Sequence, residues 1–238
     1  MQHFAQFILP FIIAGALEGV VLVALESTIT MPDVLSPTAS FQEFLNWLSV
    51  FLSAVLAIAF LSGIVGWIIG SITQGIAIKF TSETLENREP TLMSSFAFAL
   101  SRLLPLLVVS IITGIFIVIG LIALIIPGII LAIMFSLVIP VIIIENVGAL
   151  ESLSRSRVLV HHRWLKTFVV LFLFQILIGI LSSVISLLTG PLGLVGHVAS
   201  SILIAFIQPI LPIGLTLYYY SMVARETPAV TVGSAQII

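Results

Sequence analysis

The sequence predicts an all-α membrane protein: a polytopic bundle of six transmembrane helices. Of its 238 residues, 60% are hydrophobic and only 8% are charged, whereas about a quarter of a typical soluble domain is charged. The apolar residues form stretches long enough to cross a bilayer core, which needs about 20 residues per helix. These stretches are continuous and lack the alternation of a membrane β-barrel. The composition therefore excludes a soluble domain and a disordered chain.

Six stretches have the length and composition of a membrane span. They are residues 4–25, 45–78, 103–126, 129–144, 167–188 and 200–223, and residues 48–70 are the part of the second expected in lipid. We expect three successive hairpins in one domain, residues 1–225, followed by a short tail, residues 226–238. Only Pro127 and Gly128 interrupt the third and fourth spans. Because proline cannot continue a helix and glycine tolerates a sharp bend, these two residues are predicted to form a hairpin turn rather than a kink.

The basic residues predict the orientation. All eight Lys and Arg residues lie in alternate loops or after the last span, at Lys79, Arg88, Arg102, Arg155, Arg157, Arg163, Lys166 and Arg225. By the positive-inside rule, both termini and both basic loops are expected in the cytoplasm, with the protein in the plasma membrane. The first residues lack the basic region and cleavage site of a signal peptide, so we expect them to begin a retained helix.

The two basic loops have apolar residues at helical spacing and are expected to form short amphipathic helices at the membrane surface. Thr91 is the expected N-cap of the first, and Glu151 and Arg155 are spaced as an ion pair in the second. The interfacial segment consists of Arg155, Ser156, Arg157, Arg163, Trp164 and Lys166. It either anchors the spans at the headgroup level or docks a cytosolic partner, and anchors of this kind are common.

The region around the fourth span resembles the central signature of a broad prokaryotic group of six-span proteins. The group includes the membrane domain found beside some glycerophosphodiester phosphodiesterases. The matching residues are Pro127, Gly128, Pro140, Glu145, Gly148, Ala149, Leu150, Leu153, Arg155, Ser156, Leu159 and Trp164, whereas Arg157 replaces an expected aromatic residue. The resemblance implies a six-span fold. It does not imply phosphodiesterase activity, because in two-domain members that chemistry belongs to a separate soluble domain.

Glu18 is the only charged residue well within a predicted span, and an ionisable residue in a membrane is a functional candidate by default. It is either a proton, cation or substrate site, or a carboxyl group that is protonated or reaches the headgroups. Gly15 and Gly19 beside it are spaced for close helix packing, as are Ser62, Gly66 and Gly70 in the second span. Gln175 and Gln208 complete the predicted intramembrane polar site, either lining a cavity or bonding across helices.

No catalytic residue, cofactor or metal site is predicted. The sequence has no phosphate-binding loop, dinucleotide fingerprint, nucleophile elbow or zincin motif. Cysteine is absent, and His161 and His162 are adjacent, which is poor spacing for two ligands on one helix face. With a net charge of −2, a nucleic-acid partner is not expected.

The first functional hypothesis is a non-catalytic membrane protein that supports membrane or envelope organisation, or assembles with membrane or cytosolic protein partners. The alternative is a transporter or lipid-handling protein for a hydrophobic or lipidic substrate. An intramembrane enzyme ranks last, because the polar candidates are isolated from one another. Membrane lipids are the expected surroundings, and the sequence assigns no oligomeric state.

Overall fold

The chain is helical in a computed structural model that describes residues 2–36 and 38–226. No β-strand occurs within these ranges, which confirms the all-α prediction. The helices are α1 (Gln2–Thr28), α2 (Phe41–Leu85), α3 (Leu92–Ser101), α4 (Leu103–Ala123), α5 (Ile125–Met134), α6 (Val138–Ile144), α7 (Ala149–His161), α8 (Trp164–Thr189), α9 (Gly193–Ala205) and α10 (Ile210–Glu226). One turn of 3-10 helix, Gly190–Leu192, joins α8 to α9.

Within the described ranges, six helical segments are long and apolar enough to cross a membrane, as predicted. They are Phe7–Thr28, Phe41–Leu85, Leu103–Ala123, Ile125–Ile144, Trp164–Leu192 and Val195–Glu226. The fourth segment consists of α5 and α6, and the sixth consists of most of α9 together with α10. The protein is therefore an integral membrane protein by the length and composition of its helices.

The chain divides into two compact units. Unit 1 contains Met1–Thr73 and Gly179–Gln208, and unit 2 contains Gln74–Ile178 and Pro209–Ile238. The divisions fall within α2 and α8, so each of these helices contributes residues to both units. The predicted tail begins at residue 226, but Glu226 is the last residue of α10, and residues 227–238 lie outside the described part of the chain.

In unit 1, α1 packs against α9, a pairing that the order of hairpins along the chain does not predict. Gly15 and Gly19 lie at this contact. A Cβ atom on Gly15 would be 2.6 Å from the backbone oxygen of Ser201, and one on Gly19 would be 3.1 Å from the Ser201 hydroxyl. The two glycines therefore allow the close helix packing that their spacing predicts.

In unit 2, α4 and α5 form the predicted hairpin, but the predicted position of its turn is wrong. The chain reverses at Leu124, which is extended with φ −162° and ψ 141°, whereas Pro127 and Gly128 lie within α5. Proline is tolerated there because the first turn of a helix leaves its N–H groups unbonded. Gly128 serves the helix contact instead, since a Cβ on Gly120 would lie 2.9 Å from the Cα of Gly128.

The fourth span is interrupted between α5 and α6. Pro140 lies in the first turn of α6. It has no N–H to bond to the carbonyl of Ser136, and its ring would clash with that carbonyl in a continuous helix. The helix is therefore interrupted over residues 135–137, in the turn that precedes Pro140.

Both predicted amphipathic segments are helical. Thr91 is the N-cap of α3, as predicted, and its hydroxyl accepts a hydrogen bond from the Ser94 backbone N–H at 3.2 Å. In α7, one face is buried and consists of Ser152, Leu153, Ser156, Leu159 and Val160. This face packs against α5, α6 and α10, so α7 is anchored by protein contacts within unit 2.

Substitution of Gly128 tests the α4–α5 contact. In Gly128→Ala, the new methyl group would lie 2.6 Å from the Leu121 backbone nitrogen, and we expect a loss of about 1–3 kcal/mol in the free energy of unfolding from overpacking. Thermal unfolding of the purified protein in mild detergent measures the loss. Gly114→Ala is the matched control, because a Cβ atom there meets nothing within 4 Å. Equal stability of the two variants would contradict the close contact.

Candidate functional site

Glu18 lines a cleft within unit 1. The cleft has a volume of about 230 Å³ and is lined by Glu18, Val21, Leu22, Ser62, Val65, Gly66 and Ser201. These residues come from α1, α2 and α9, and Glu18 is half-buried among them. Glu18 precedes Glu26 by eight positions of α1, which corresponds to about 12 Å along the helix. The carboxylate therefore lies well inside the first candidate span, which covers Phe7–Thr28.

The packing of α1 explains why Glu18 faces this space. Gly19 contacts α9, and consecutive helical residues are rotated by about 100°, which turns the Glu18 side chain away from that contact. Across the cleft, α2 presents Ser62 and Gly66. A Cβ atom on Gly66 would lie 4.0 Å from the Glu18 Oε1 atom. The absence of a side chain at Gly66 thus leaves room beside the carboxylate.

The hydroxyl groups in the cleft are already committed as donors. Ser62 donates to the Ile58 carbonyl at 2.6 Å, and Ser201 donates to the His197 carbonyl at 2.9 Å. Within the described part of the chain, the Glu18 carboxylate has no hydrogen bond or ion pair. The cleft therefore contains a carboxylate with unused acceptor capacity and two hydroxyl oxygens that can accept further hydrogen bonds.

The predicted intramembrane polar site consisted of Glu18, Gln175 and Gln208, but the structure places other polar residues beside Glu18. Gln175 is exposed on α8 in unit 2, and Gln208 is half-buried in the turn that follows α9 in unit 1. Neither glutamine lines the Glu18 cleft, whereas Ser62 and Ser201 do. The spacing of Ser62 with Gly66 and Gly70 predicts only close helix packing, and no sequence pattern marks Ser201.

The prediction of close packing at Ser62, Gly66 and Gly70 is wrong in the described part of the chain. A Cβ atom on Gly70 meets nothing within 4 Å, and one on Gly66 meets only the Glu18 carboxylate at 4.0 Å. On α2, the small side chains border open space. Small residues at four-residue spacing are compatible with either a contact or a cleft, and the sequence pattern does not distinguish them.

A second polar cluster lies in unit 2 around Arg155. The Arg155 Nε atom donates to Glu145 Oε1 at 2.8 Å, and its NH2 group lies 2.7 Å from Glu226 Oε2. Tyr219 also donates to Glu145 Oε1, at 2.7 Å. The hydrogen bond to Glu145, reinforced by Glu226, raises the pKa of Arg155 above its ordinary value. The cluster therefore joins the ends of α6 and α10 to α7 through a charged guanidinium.

The predicted Glu151–Arg155 pair is wrong. Glu151 is exposed, and the Arg155 guanidinium bonds to Glu145 and Glu226. An exposed pair at i, i+4 contributes only about 0.3–0.5 kcal/mol. Two carboxylates that approach the planar guanidinium from other elements offer several charge-assisted hydrogen bonds, which outweigh that local pairing.

Ser156 bridges the interruption between α5 and α6. Its hydroxyl donates to the Met134 carbonyl at 2.7 Å and accepts from the Leu137 N–H at 3.3 Å. These backbone groups are at the end of α5 and just before α6. A break in a membrane helix is tolerated where side chains satisfy such groups. Ser156 is fully buried and supports the fold from α7.

The interfacial segment is thus divided by the structure. Arg155 and Ser156 are engaged inside unit 2, whereas Arg157, Trp164 and Lys166 are exposed. Arg163 is half-buried. The exposed members are those available for an anchor or a partner.

Three consecutive tyrosines connect α10 to three different parts of unit 2. The Tyr218 hydroxyl lies 2.8 Å from that of Thr167, Tyr219 donates to Glu145 at 2.7 Å, and Tyr220 donates to Glu86 at 2.7 Å. The side chains of neighbouring helical residues point about 100° apart, so three consecutive tyrosines extend in three different directions. The run of tyrosines in an apolar span was the available sequence signal, and sequence reasoning did not use it.

No group of three or more His, Asp or Glu residues suited to a metal ion occurs among the described residues. The serine hydroxyls of the cleft donate to carbonyls of their own helices and make no hydrogen bond to Glu18, the one potential base among the described lining residues. The cleft offers a ligand the oxygen atoms of one carboxyl group and two hydroxyl groups.

Removal of Arg155 tests the cluster in unit 2. In Arg155→Ala, Glu145 and Glu226 lose their common partner, and we expect a loss of about 1.5–3 kcal/mol in the free energy of unfolding. Arg157→Ala removes an exposed arginine of the same helix and serves as the control, with an expected change within about 0.5 kcal/mol. Thermal unfolding in detergent compares the two. An Arg157→Ala loss as large as that of Arg155→Ala would contradict the assignment.

Comparison of the chain with protein-family models, with curated proteins and with solved structures finds no match. The resemblance to the membrane domain of glycerophosphodiester phosphodiesterases therefore stays a prediction from the sequence.

Proposed function

We propose that the protein is a non-catalytic membrane protein that handles a lipid or another amphipathic ligand by binding its polar group in the Glu18 cleft. One observation carries this proposal: a half-buried carboxylate without a partner in the described chain borders a cleft inside a candidate span. Ionisable residues within membrane spans are costly, and they commonly mark ligand or ion pathways.

The size and lining of the cleft favour a ligand that is polar at one end and apolar elsewhere. Its volume of about 230 Å³ is below the range of about 300–1,000 Å³ that is typical of sites for whole drug-sized molecules. Val21, Leu22 and Val65 provide apolar walls beside the polar oxygens. A polar group fits inside while the apolar remainder extends into the surrounding lipid, which is the geometry that a lipidic ligand requires.

We propose a non-catalytic role because of how the polar groups of the cleft are arranged. Ser62 and Ser201 donate to their own helices, and neither hydroxyl makes a hydrogen bond to Glu18, the only candidate base among the described residues lining the cleft. Nucleophilic catalysis requires a hydroxyl group within reach of such a base. Binding and release of a ligand require only the carboxylate and an opening to the membrane.

The interfacial segment is proposed to anchor the protein on the cytoplasmic side of the plasma membrane, with both termini in the cytoplasm. Supporting this role, Trp164 begins α8 and is 47% exposed, and Lys166 beside it is also exposed. Tryptophan and basic residues at the end of a span favour the headgroup level.

Substitution of Gly66 tests whether the cleft holds a ligand. In Gly66→Val, the side chain would occupy the space next to Glu18, and we expect native mass spectrometry after mild extraction to show loss of a bound lipid or amphipathic molecule. Gly63→Val on the same helix is the matched control, because a Cβ atom there meets nothing within 4 Å. If both variants retain the same bound molecules as the unmodified protein, the cleft is not the binding site.

Fluorescence quenching tests the proposed anchor. The chain has three tryptophans, so Trp47→Phe combined with Trp67→Phe leaves Trp164 as the only one. We expect nitroxide lipids labelled at the headgroup to quench its fluorescence more strongly than lipids labelled at the acyl-chain end. Stronger quenching from the chain end would contradict a headgroup position.

A further inference from the structure

We infer that the Glu18 cleft binds a primary ammonium group, through hydrogen bonds to Glu18, Ser62 and Ser201. This inference rests on the proposed function and specifies the chemical class of the ligand's polar group. It follows from the donor and acceptor character of the lining atoms, from the number of these acceptors, and from the absence of aromatic side chains among the described lining residues.

Every polar side chain that lines the cleft presents an acceptor. When it is ionised, the Glu18 carboxylate has acceptor oxygens only. The hydroxyl protons of Ser62 and Ser201 are directed to the carbonyls of Ile58 and His197, which leaves the lone pairs of the two oxygens for a ligand. Backbone N–H groups of these helical segments are bonded within the helices. An anion or a neutral acceptor would find no complementary side-chain donor among these described groups. A cationic donor would find acceptors.

The number of acceptors matches a primary ammonium. Such a group carries three N–H donors, and three side chains supply acceptors to the cleft. The positive charge also compensates the carboxylate, which is costly to leave unpaired in an apolar environment. Hydrogen bonds between an ammonium and a carboxylate are about twice as strong as those between neutral groups.

Two other kinds of cation fit the cleft less well. Quaternary ammonium groups have no N–H donors and are typically bound by aromatic cages, but none of the described residues that line the cleft is aromatic. Ca²⁺ and Mg²⁺ take six or more close oxygen ligands, whereas the three polar side chains that line the cleft offer four oxygens. The volume of about 230 Å³ is also much larger than a dehydrated ion needs.

Thermal unfolding of the full-length protein in phosphatidylcholine nanodiscs tests the inference. The probes are ethylammonium chloride, tetramethylammonium chloride and sodium chloride at equal ionic strength. We expect ethylammonium, at about ten times its dissociation constant, to raise the unfolding temperature by about 3 °C relative to the other two salts. An equal shift with tetramethylammonium or with sodium would overturn the inference, as would the absence of any shift both with these probes and in phosphatidylethanolamine nanodiscs.

Variants assign the effect to the cleft. Glu18→Gln keeps the shape of the side chain and removes its charge, so we expect the ethylammonium shift to be lost. Glu26→Gln, on the same helix but outside the cleft, is the matched control and should keep the shift. Ser62→Ala and Ser201→Ala should each reduce it. A shift that persists in Glu18→Gln would overturn the inference.

Lipid composition distinguishes the source of the ammonium group. If it belongs to a lipid headgroup, nanodiscs of phosphatidylethanolamine should raise the unfolding temperature of the unmodified protein but not of Glu18→Gln. If it belongs to a free amine, only added ethylammonium should do so. Failure of the proposed function can be distinguished from failure of this inference. If the proposed function fails, Gly66→Val retains the same bound molecules as the unmodified protein. If Gly66→Val loses them but no ammonium probe has an effect, only the inference fails.

Discussion

Polar groups inside a membrane protein must find their partners within the protein, because the hydrocarbon core of the bilayer offers none. This constraint determines the architecture of unit 2. Pro140 interrupts the fourth span, and the Ser156 hydroxyl then supplies the hydrogen bonds that the backbone of Met134 and Leu137 lacks. The buried face of α7 holds Ser156 in place, so the break and the helix that compensates it depend on each other.

Glu18 in unit 1 is the contrasting case. In unit 2 the carboxylates of Glu145 and Glu226 share Arg155, and the tyrosine run connects α10 to its neighbours. The Glu18 carboxylate has no comparable partner in the described chain, and it borders open space rather than packed side chains. A carboxylate without a partner in the described chain that borders a cleft is the arrangement expected of a site open to a ligand.

Local sequence patterns predicted what depends on local physics. Continuous hydropathy predicted the six spans, and helical spacing predicted the cap at Thr91 and the contact at Gly15. The errors arose where distant residues compete with local ones. Arg155 prefers Glu226, 71 residues away, to Glu151 on its own helix. Gly128 was assigned to a turn because a Pro-Gly pair favours one, whereas the α4–α5 contact uses it. The two serines of the cleft come from different helices, and only the tertiary structure places them near Glu18.

Thiol reactivity at position 18 tests most directly whether this residue faces a polar cleft. Because the chain has no cysteine, Glu18→Cys introduces a single thiol, and Leu17→Cys places one on a neighbouring side chain that is 50% exposed on the apolar surface of α1. Only the thiolate reacts, and it forms where the environment is polar. In membrane vesicles treated with aminoethyl methanethiosulfonate, a small cationic thiol reagent, labelling at position 18 should be several times faster than at position 17. Equal or slower labelling at position 18 would contradict the cleft.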